Sequence, residues 1–174
     1  MGIEKIVDII LSFLNDILPF FVVKTWEESV VLRFGKVHRM RGPGIYLKIP
    51  FVDEPLNTVI VTTTVETSAQ TLVTSDGQDV TLRSVIKYRI SDVVAYTTEI
   101  YDTTDALMDF TQGSIMREVN THTYDECREA EAVSATITKK VRSEVKKYGI
   151  YIEQITLTNF IRTSNFRIFK DDTE

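Results

Sequence analysis

A single cysteine, Cys127, excludes an internal disulfide framework and any cysteine-based metal site. The two histidines, His38 and His122, lie far apart with no ligand-spaced neighbour around either. Positive charge is not in excess. The formal net charge of −5 makes no case for nucleic acid as a partner. Glycine and proline are scarce, at 7 and 4, while threonine is abundant, which points to ordered, strand-rich structure. No internal repeat or low-complexity linker divides the chain. Its 174 residues suit one domain, or two small subdomains, behind whatever the N-terminus forms.

What is present begins with that N-terminus. On a helical wheel of about 100° per residue, Glu4, Lys5, Asp8, Ser12, Asn15 and Asp16 fall within an arc of about 120°. Ile3, Ile6, Ile10, Phe13, Leu14, Ile17 and Leu18 belong to the apolar remainder, and Phe20 and Phe21 extend it beyond Pro19. Such a segment locates the protein at a lipid bilayer, and these nine residues are the expected anchor. Three geometries compete. An in-plane or shallow re-entrant helix keeps Asp8 and Asp16 wet and is the preferred reading. A transmembrane span is just long enough, but each carboxylate inside it costs about 2.5–3.5 kcal/mol. A core or dimerisation helix of a soluble protein is the third. No secretory signal fits, because Glu4 sits in the n-region and no small-residue cleavage site follows. Ile6 breaks the myristoylation pattern that Met1-Gly2 begins.

Beyond the anchor, residues 28–34 read as a short buried strand ending at Gly35. A basic stretch over 36–41 and the turn Gly42-Pro43-Gly44 lead to a second strand over 45–49, stopped by Pro50. These two strands are expected to form a hairpin-like unit. The β-branched run 58–67 predicts one long strand. Ser75-Asp76-Gly77 marks a turn, and residues 80–90 alternate with a period of two, Val80, Leu82, Ile86, Tyr88 and Ile90 sharing one face.

The period changes at Ser91-Asp92. Thr103 or Thr104 can cap a helix to about Val119, and a longer helix is predicted from about Asp125 to Tyr148. Its apolar line is Val133, Ile137, Val141, Val145 and Tyr148, with Gly149 as the residue that ends it. Residues 150–160 return to strand, with a bulge expected near Glu153-Gln154 where the alternation slips. Strands, then helices, then strand is an α+β order.

Three blocks in register carry a family resemblance over about residues 22–160. The first runs from Val22-Val23-Lys24 through Val31-Leu32-Arg33-Phe34-Gly35-Lys36-Val37 to Gly42-Pro43-Gly44-Ile45-Tyr46-Leu47-Lys48-Ile49-Pro50. The second joins Val73-Thr74-Ser75-Asp76-Gly77 to Val85-Ile86-Lys87-Tyr88-Arg89-Ile90-Ser91-Asp92. The third is Lys147-Tyr148-Gly149-Ile150 between a helix and a strand. Together they resemble the SPFH (band 7) family of stomatins, prohibitins, flotillins and the HflK/HflC regulators of the FtsH protease; the phrasing is most HflC-like. Thr25-Trp26-Glu27 departs from the family's usual Glu-Gly-Glu, and no heptads follow Phe160 to form the family's long coiled coil.

The resemblance implies a fold and a role. The expected organisation is a membrane anchor over 1–23, an SPFH domain over 24–160 and a short tail over 161–174. Within the domain, a β-rich first lobe meets a mixed α/β second lobe near residue 91. The expected role is non-enzymatic, without cofactor or metal: a homo-oligomeric scaffold on the inner or plasma membrane. The alternative is a module that modulates a membrane protease such as FtsH, or joins a host's SPFH assembly. A cytoplasmic side is preferred over a periplasmic one. Lys36, Arg39 and Arg41 are the candidate lipid-headgroup contacts, each worth about 1 kcal/mol near an anionic surface, with an ordinary solvated loop as the competing reading. The carboxylates Asp125, Glu126, Glu129 and Glu131 have no nucleophile or metal set beside them in the sequence. Cys127 reads as a packed thiol, the basic run 139–147 as a solvated helix face, and Trp26 as either core or interfacial belt.

Overall fold

The computed structural model describes residues 19–163. The expected anchor helix (residues 1–18) and most of the tail (164 onward) lie outside the described residues. Among the described residues, no helix is long and apolar enough to cross a membrane. The chain folds as two compact units, and it passes between them after Val61, Arg89 and Tyr101. The sequence predicts a single division near residue 91.

The first unit is built on strands. β1 (Phe20–Val23) pairs antiparallel with β4 (Gly44–Leu47), and β2 (Glu27–Arg33) lies between β3 (Lys36–Arg41) and β5 (Asp53–Val59). Two expectations are corrected here. Residues 20–23 continue the anchor in sequence, yet they form a strand, because the extended, half-buried backbone of β4 offers them a partner. The hairpin also pairs β2 with the basic stretch β3 rather than with β4, through a two-residue connection at Phe34-Gly35. Behind the β2 sheet, a short helix α1 (Val93–Thr98) is capped by Asp92, whose carboxylate accepts from the Val94 and Ala95 amides. Val30, Ile90 and Val93 close the small core there, with Leu32, Ile60, Val94 and Tyr96 around them.

The second unit holds β6 (Thr63–Glu66), β7 (Gln70–Val73) and most of β8 (Asp79–Ile90), followed by helices α2 (Thr103–Val119), α3 (Tyr124–Arg128) and α4 (Ala130–Val145) and then β9 (Ile150–Arg162). β6 and β7 both pair antiparallel with β8, and β9 takes its other side. The run 58–67 is therefore two strands broken around Ile60–Thr62, where the chain changes units; β-branched propensity is uniform across that point and cannot mark it. The helix expected over 125–148 is likewise broken at Glu129 (ψ 54°), and its last turn, Lys146–Tyr148, is 3-10. The longer helix before it starts from Asp102 (φ 49°), not from a threonine, because the Asp102 carboxylate reaches the Asp105 amide. The core itself is as the periodicity implies. Val80, Leu82, Ile86 and Ile90 line one face of β8, and Val133, Ile137, Val141 and Val145 are buried along α4.

The bulge in β9 is visible in its burial. Ile150 and Ile152 point inward, then Ile155 and Leu157, so the alternation skips one residue at Glu153-Gln154. Two successive carbonyls, Ile152 and Glu153, consequently face α4, where Arg142 Nε and Nη2 donate to them at 2.7 and 2.9 Å. The Arg142 guanidinium also lies 5.0 Å from the Tyr151 ring. Beside it, Ile155 N donates to Thr138 Oγ1 at 3.0 Å. Arg142→Ala removes both donors from partly buried acceptors and is expected to cost about 2 kcal/mol. Lysine cannot span two carbonyls, so Arg142→Lys should recover little of it. Urea unfolding of both variants checks this, and losses below about 0.5 kcal/mol would refute the role.

Candidate membrane-facing site

The β1–β4 register decides which side chains share a face. Phe20 opposes Leu47 and Val22 opposes Ile45, and cross-strand partners two residues apart point the same way. These four apolar side chains form one outward face; Ile45 and Leu47 are each 73% exposed. The opposite face is the structural one. Val23 is 2% exposed there, and Phe21 packs on Tyr46 with ring centroids 5.8 Å apart. Of the expected anchor residues, Phe20 therefore stands on the exposed face and Phe21 on the inner one. Ile3, Ile6, Ile10, Phe13, Leu14, Ile17 and Leu18 lie outside the described residues.

The exposed face runs into a second feature. The Lys48 amide donates to the Pro19 carbonyl at 2.8 Å, so the chain leaving β4 stays beside the start of β1. It then turns at Ile49–Asp53, where Ile49 O accepts from Val52 N and Asp53 N at 3.2 and 2.9 Å. Phe51 at this turn and Phe34 at the β2–β3 connection are each 81% exposed. The two turns are joined by a hydrogen bond from Phe34 N to Val52 O at 3.3 Å.

Beneath them lies a buried carboxylate. Asp53 has no exposed side-chain surface, and Arg33, its register partner across β2–β5, donates to both its oxygens at 2.7 and 3.0 Å. The Ile49 amide adds a bond at 3.0 Å, and Arg39 approaches to 3.8 Å. The Arg33 hydrogen bonds hold the Asp53 carboxyl far below the usual carboxylate range, the Ile49 amide next, against the opposing effect of burial. A carboxylate whose folded pKa is depressed stabilises above its unfolded value near ~3.9 and loses that contribution as pH falls toward the folded value. Arg33→Ala should therefore move acid unfolding of this unit to higher pH. Circular dichroism during acid titration reads the shift; coincident curves for the two proteins would sink the assignment.

Of the candidate headgroup contacts, Lys36 is exposed at the start of β3. Arg39 donates to the Leu47 carbonyl at 3.0 Å, and Arg41 lies 4.8 Å from the Tyr46 ring. The structure thus sets Arg39 and Lys48 beside the apolar strand β4, Arg33 on Asp53 under the two phenylalanine turns and Lys36 next to the Phe34 turn, while Arg41 stacks on Tyr46 of the inner face. The sequence pointed to the cations and not to Val22, Ile45, Leu47 or Phe34. The alternation of 45–49 was the one signal; without the β1 pairing it reads as core and surface in either order.

The other chemically suggestive residues have structural roles. Glu126 closes a capping box with Thr123. Cys127 is fully buried, and burial pushes its thiol above the ordinary range. His122 Nδ1 lies 2.9 Å from the Glu118 carbonyl, and Lys140 pairs with the buried Glu118 carboxylate. Trp26 is half exposed, with Lys24 Nζ 5.8 Å above its ring. Among the described residues, no group of three or more His, Cys, Asp or Glu side chains could hold a metal ion.

Comparison with known families bears directly on this arrangement. The SPFH domain / Band 7 family matches residues 21–167. The chain belongs to that family. An uncharacterized protein of Archaeoglobus fulgidus is 25% identical over 78% of this chain and 55% of its own length. Stomatin-1 of Caenorhabditis elegans is 25% identical over 78% of this chain and 42% of its own. The modulator of FtsH protease HflC of Escherichia coli K12 is 36% identical over 45% of this chain and 26% of its own. The chain thus spans about half the length of the archaeal relative and less of the other two. The α+β architecture, with its mixed sheets and helices, fits an SPFH domain.

Proposed function

We propose that this chain is a non-enzymatic, membrane-associated SPFH protein whose first unit lies against the bilayer and whose role is to position other proteins or lipid there. The observation that carries the reading is the face of Phe20, Val22, Ile45 and Leu47, exposed in the folded unit, with Arg39 hydrogen-bonded to the Leu47 carbonyl. A contiguous apolar surface with a basic margin suits an interface between hydrocarbon and anionic headgroups. The apolar segment 1–18 enters the unit directly at Phe20, so the chain's most hydrophobic stretch and this face share one end. Lys36, Arg39 and Arg41 remain the proposed headgroup contacts, with Arg39 the one that touches the apolar strand. Flotation of the full chain with phosphatidylcholine/phosphatidylglycerol vesicles tests the reading, and a protein left at the bottom of the gradient at every composition would end it.

Family membership supports a homo-oligomeric scaffold as the working form. A second reading has a specific observation behind it: a relative of this chain is named as a modulator of the FtsH protease. In that reading the chain docks on a membrane protease complex of the FtsH and HflK/HflC kind. Light scattering in mild detergent separates the two. A large self-assembly supports the scaffold, and a monomer that co-purifies with a protease supports the modulator.

A further inference from the structure

Phe34 and Phe51 occupy backbone positions that do not suit phenylalanine. Phe34 (φ 50°) and Gly35 (φ 74°) are the two central residues of the β2–β3 connection, both with positive φ. That is the pattern of a type I′ turn, whose first central position favours Asn, Asp or Gly. Phe51 (φ 62°) repeats the anomaly in the turn that precedes β5. For a bulky side chain the left-handed region costs about 1–2 kcal/mol. Among the described residues nothing packs on the two rings, which stay exposed. Local strain combined with exposed apolar surface points to a contact that the rings make in function.

The two turns that carry the rings are tied together through their backbone. The Arg33–Asp53 pair sits one residue before Phe34 and two after Phe51, with both of its hydrogen bonds in place. The bond from Phe34 N to Val52 O ties one turn to the other, and both phenylalanines border a single cleft with Lys48 and Pro55. The chain runs from Leu47 of the membrane-facing surface through Lys48 and Ile49 to Phe51, and the cleft carries both Lys48 and Glu54.

We propose that Phe34 and Phe51 form a preorganised aromatic wedge that enters gaps between lipid headgroups, making the protein select bilayers rich in packing defects. This rests on the membrane-facing reading of the same unit and adds a lipid preference to it. Two bulky rings on locked turns cannot flatten against a surface, so they need free volume between headgroups before they insert. Strong curvature and small headgroups supply that volume; flat, tightly packed bilayers do not. Because the turn backbones are already ordered, insertion fixes only the side-chain torsions of the two rings.

The test uses the full chain and dioleoyl phosphatidylcholine/phosphatidylglycerol vesicles of one composition, prepared small by sonication and large by extrusion. The unaltered protein is expected to float with the small vesicles at about fivefold lower lipid concentration. The F34N/F51N double variant should lose that preference and bind both vesicle sizes alike and more weakly, through the β1–β4 face. It should also melt at the same or a higher temperature, since asparagine accepts positive φ. Unchanged preference in the variant, or a lower melting temperature, overturns the wedge. So would a changed oligomeric mass in the variant with the vesicle preference intact, which would assign the rings to contacts with a second copy. Absence of any flotation by the unaltered chain would end the membrane reading itself, and the two failures are distinguishable.

Discussion

Replacing Ile45 and Leu47 together by glutamate is expected to lower partition onto anionic vesicles by roughly 100-fold. Each side chain is 73% exposed on the folded unit, so nearly all of its burial would take place in the bilayer. At about 1.5 kcal/mol for each of the two, the loss comes to about 3 kcal/mol. Two carboxylates placed among headgroup phosphates add repulsion to that. The strand should survive the change. Both positions lie on the outward face of β4, their cross-strand partners Val22 and Phe20 are also exposed, and β-propensity differences span only about 1 kcal/mol. Flotation across a lipid titration, with circular dichroism to confirm the fold, makes the measurement. A loss smaller than about threefold would mean that the face does not meet lipid and that segment 1–18 alone holds the protein there.

In the second unit, Ile137→Ala should destabilise by about 3–4 kcal/mol, as expected for deleting an aliphatic side chain from a filled site. Ile137 has no exposed surface and sits midway along the buried line of α4, between Val133 and Val141. The rigid neighbours there cannot collapse freely into the space. The inner residues of β9 are pinned by Thr138 and Arg142, and the α2 side of α4 carries the Glu118–Lys140 pair. Ile161, exposed near the end of β9, is the matched control, and its alanine variant should stay within about 0.5 kcal/mol of the parent. Urea unfolding followed by far-ultraviolet circular dichroism compares them. Equal effects at the two positions would show that the periodicity of α4 does not mark the core.

The contrast between those two sites shows what local pattern can carry. The α4 line and the β8 alternation were legible because each is a single-element property: period 3.6 or period 2 in apolar residues places a face without knowledge of its partner. The β9 bulge was legible for the same reason, as a slip in one strand's alternation. The Gly149 stop was equally plain, and its φ of 74° is the conformation that made glycine the residue to expect. The breaks were not legible. Nothing in the residues around Ile60–Thr62 or at Glu129 differs enough from their neighbours to end a strand or a helix. Those interruptions arise where the chain changes units or repacks, and propensity is a weak term against tertiary contacts.

The candidate site divides along the same line. By itself the sequence determined that an apolar N-terminal segment precedes an α+β domain of the SPFH kind, that cations cluster over residues 33–41, and that no cysteine or histidine metal motif is available. It did not determine that Phe20–Val23 is a strand, nor that Val22 and Phe20 share a face with Ile45 and Leu47. It also could not show that Phe34 and Phe51, 17 residues apart, stand on adjacent turns over one buried carboxylate. Only the tertiary structure decided these, because strand register and turn conformation are properties of pairs of segments. A side chain's exposure follows from which partner its strand finds, and no single segment contains that information.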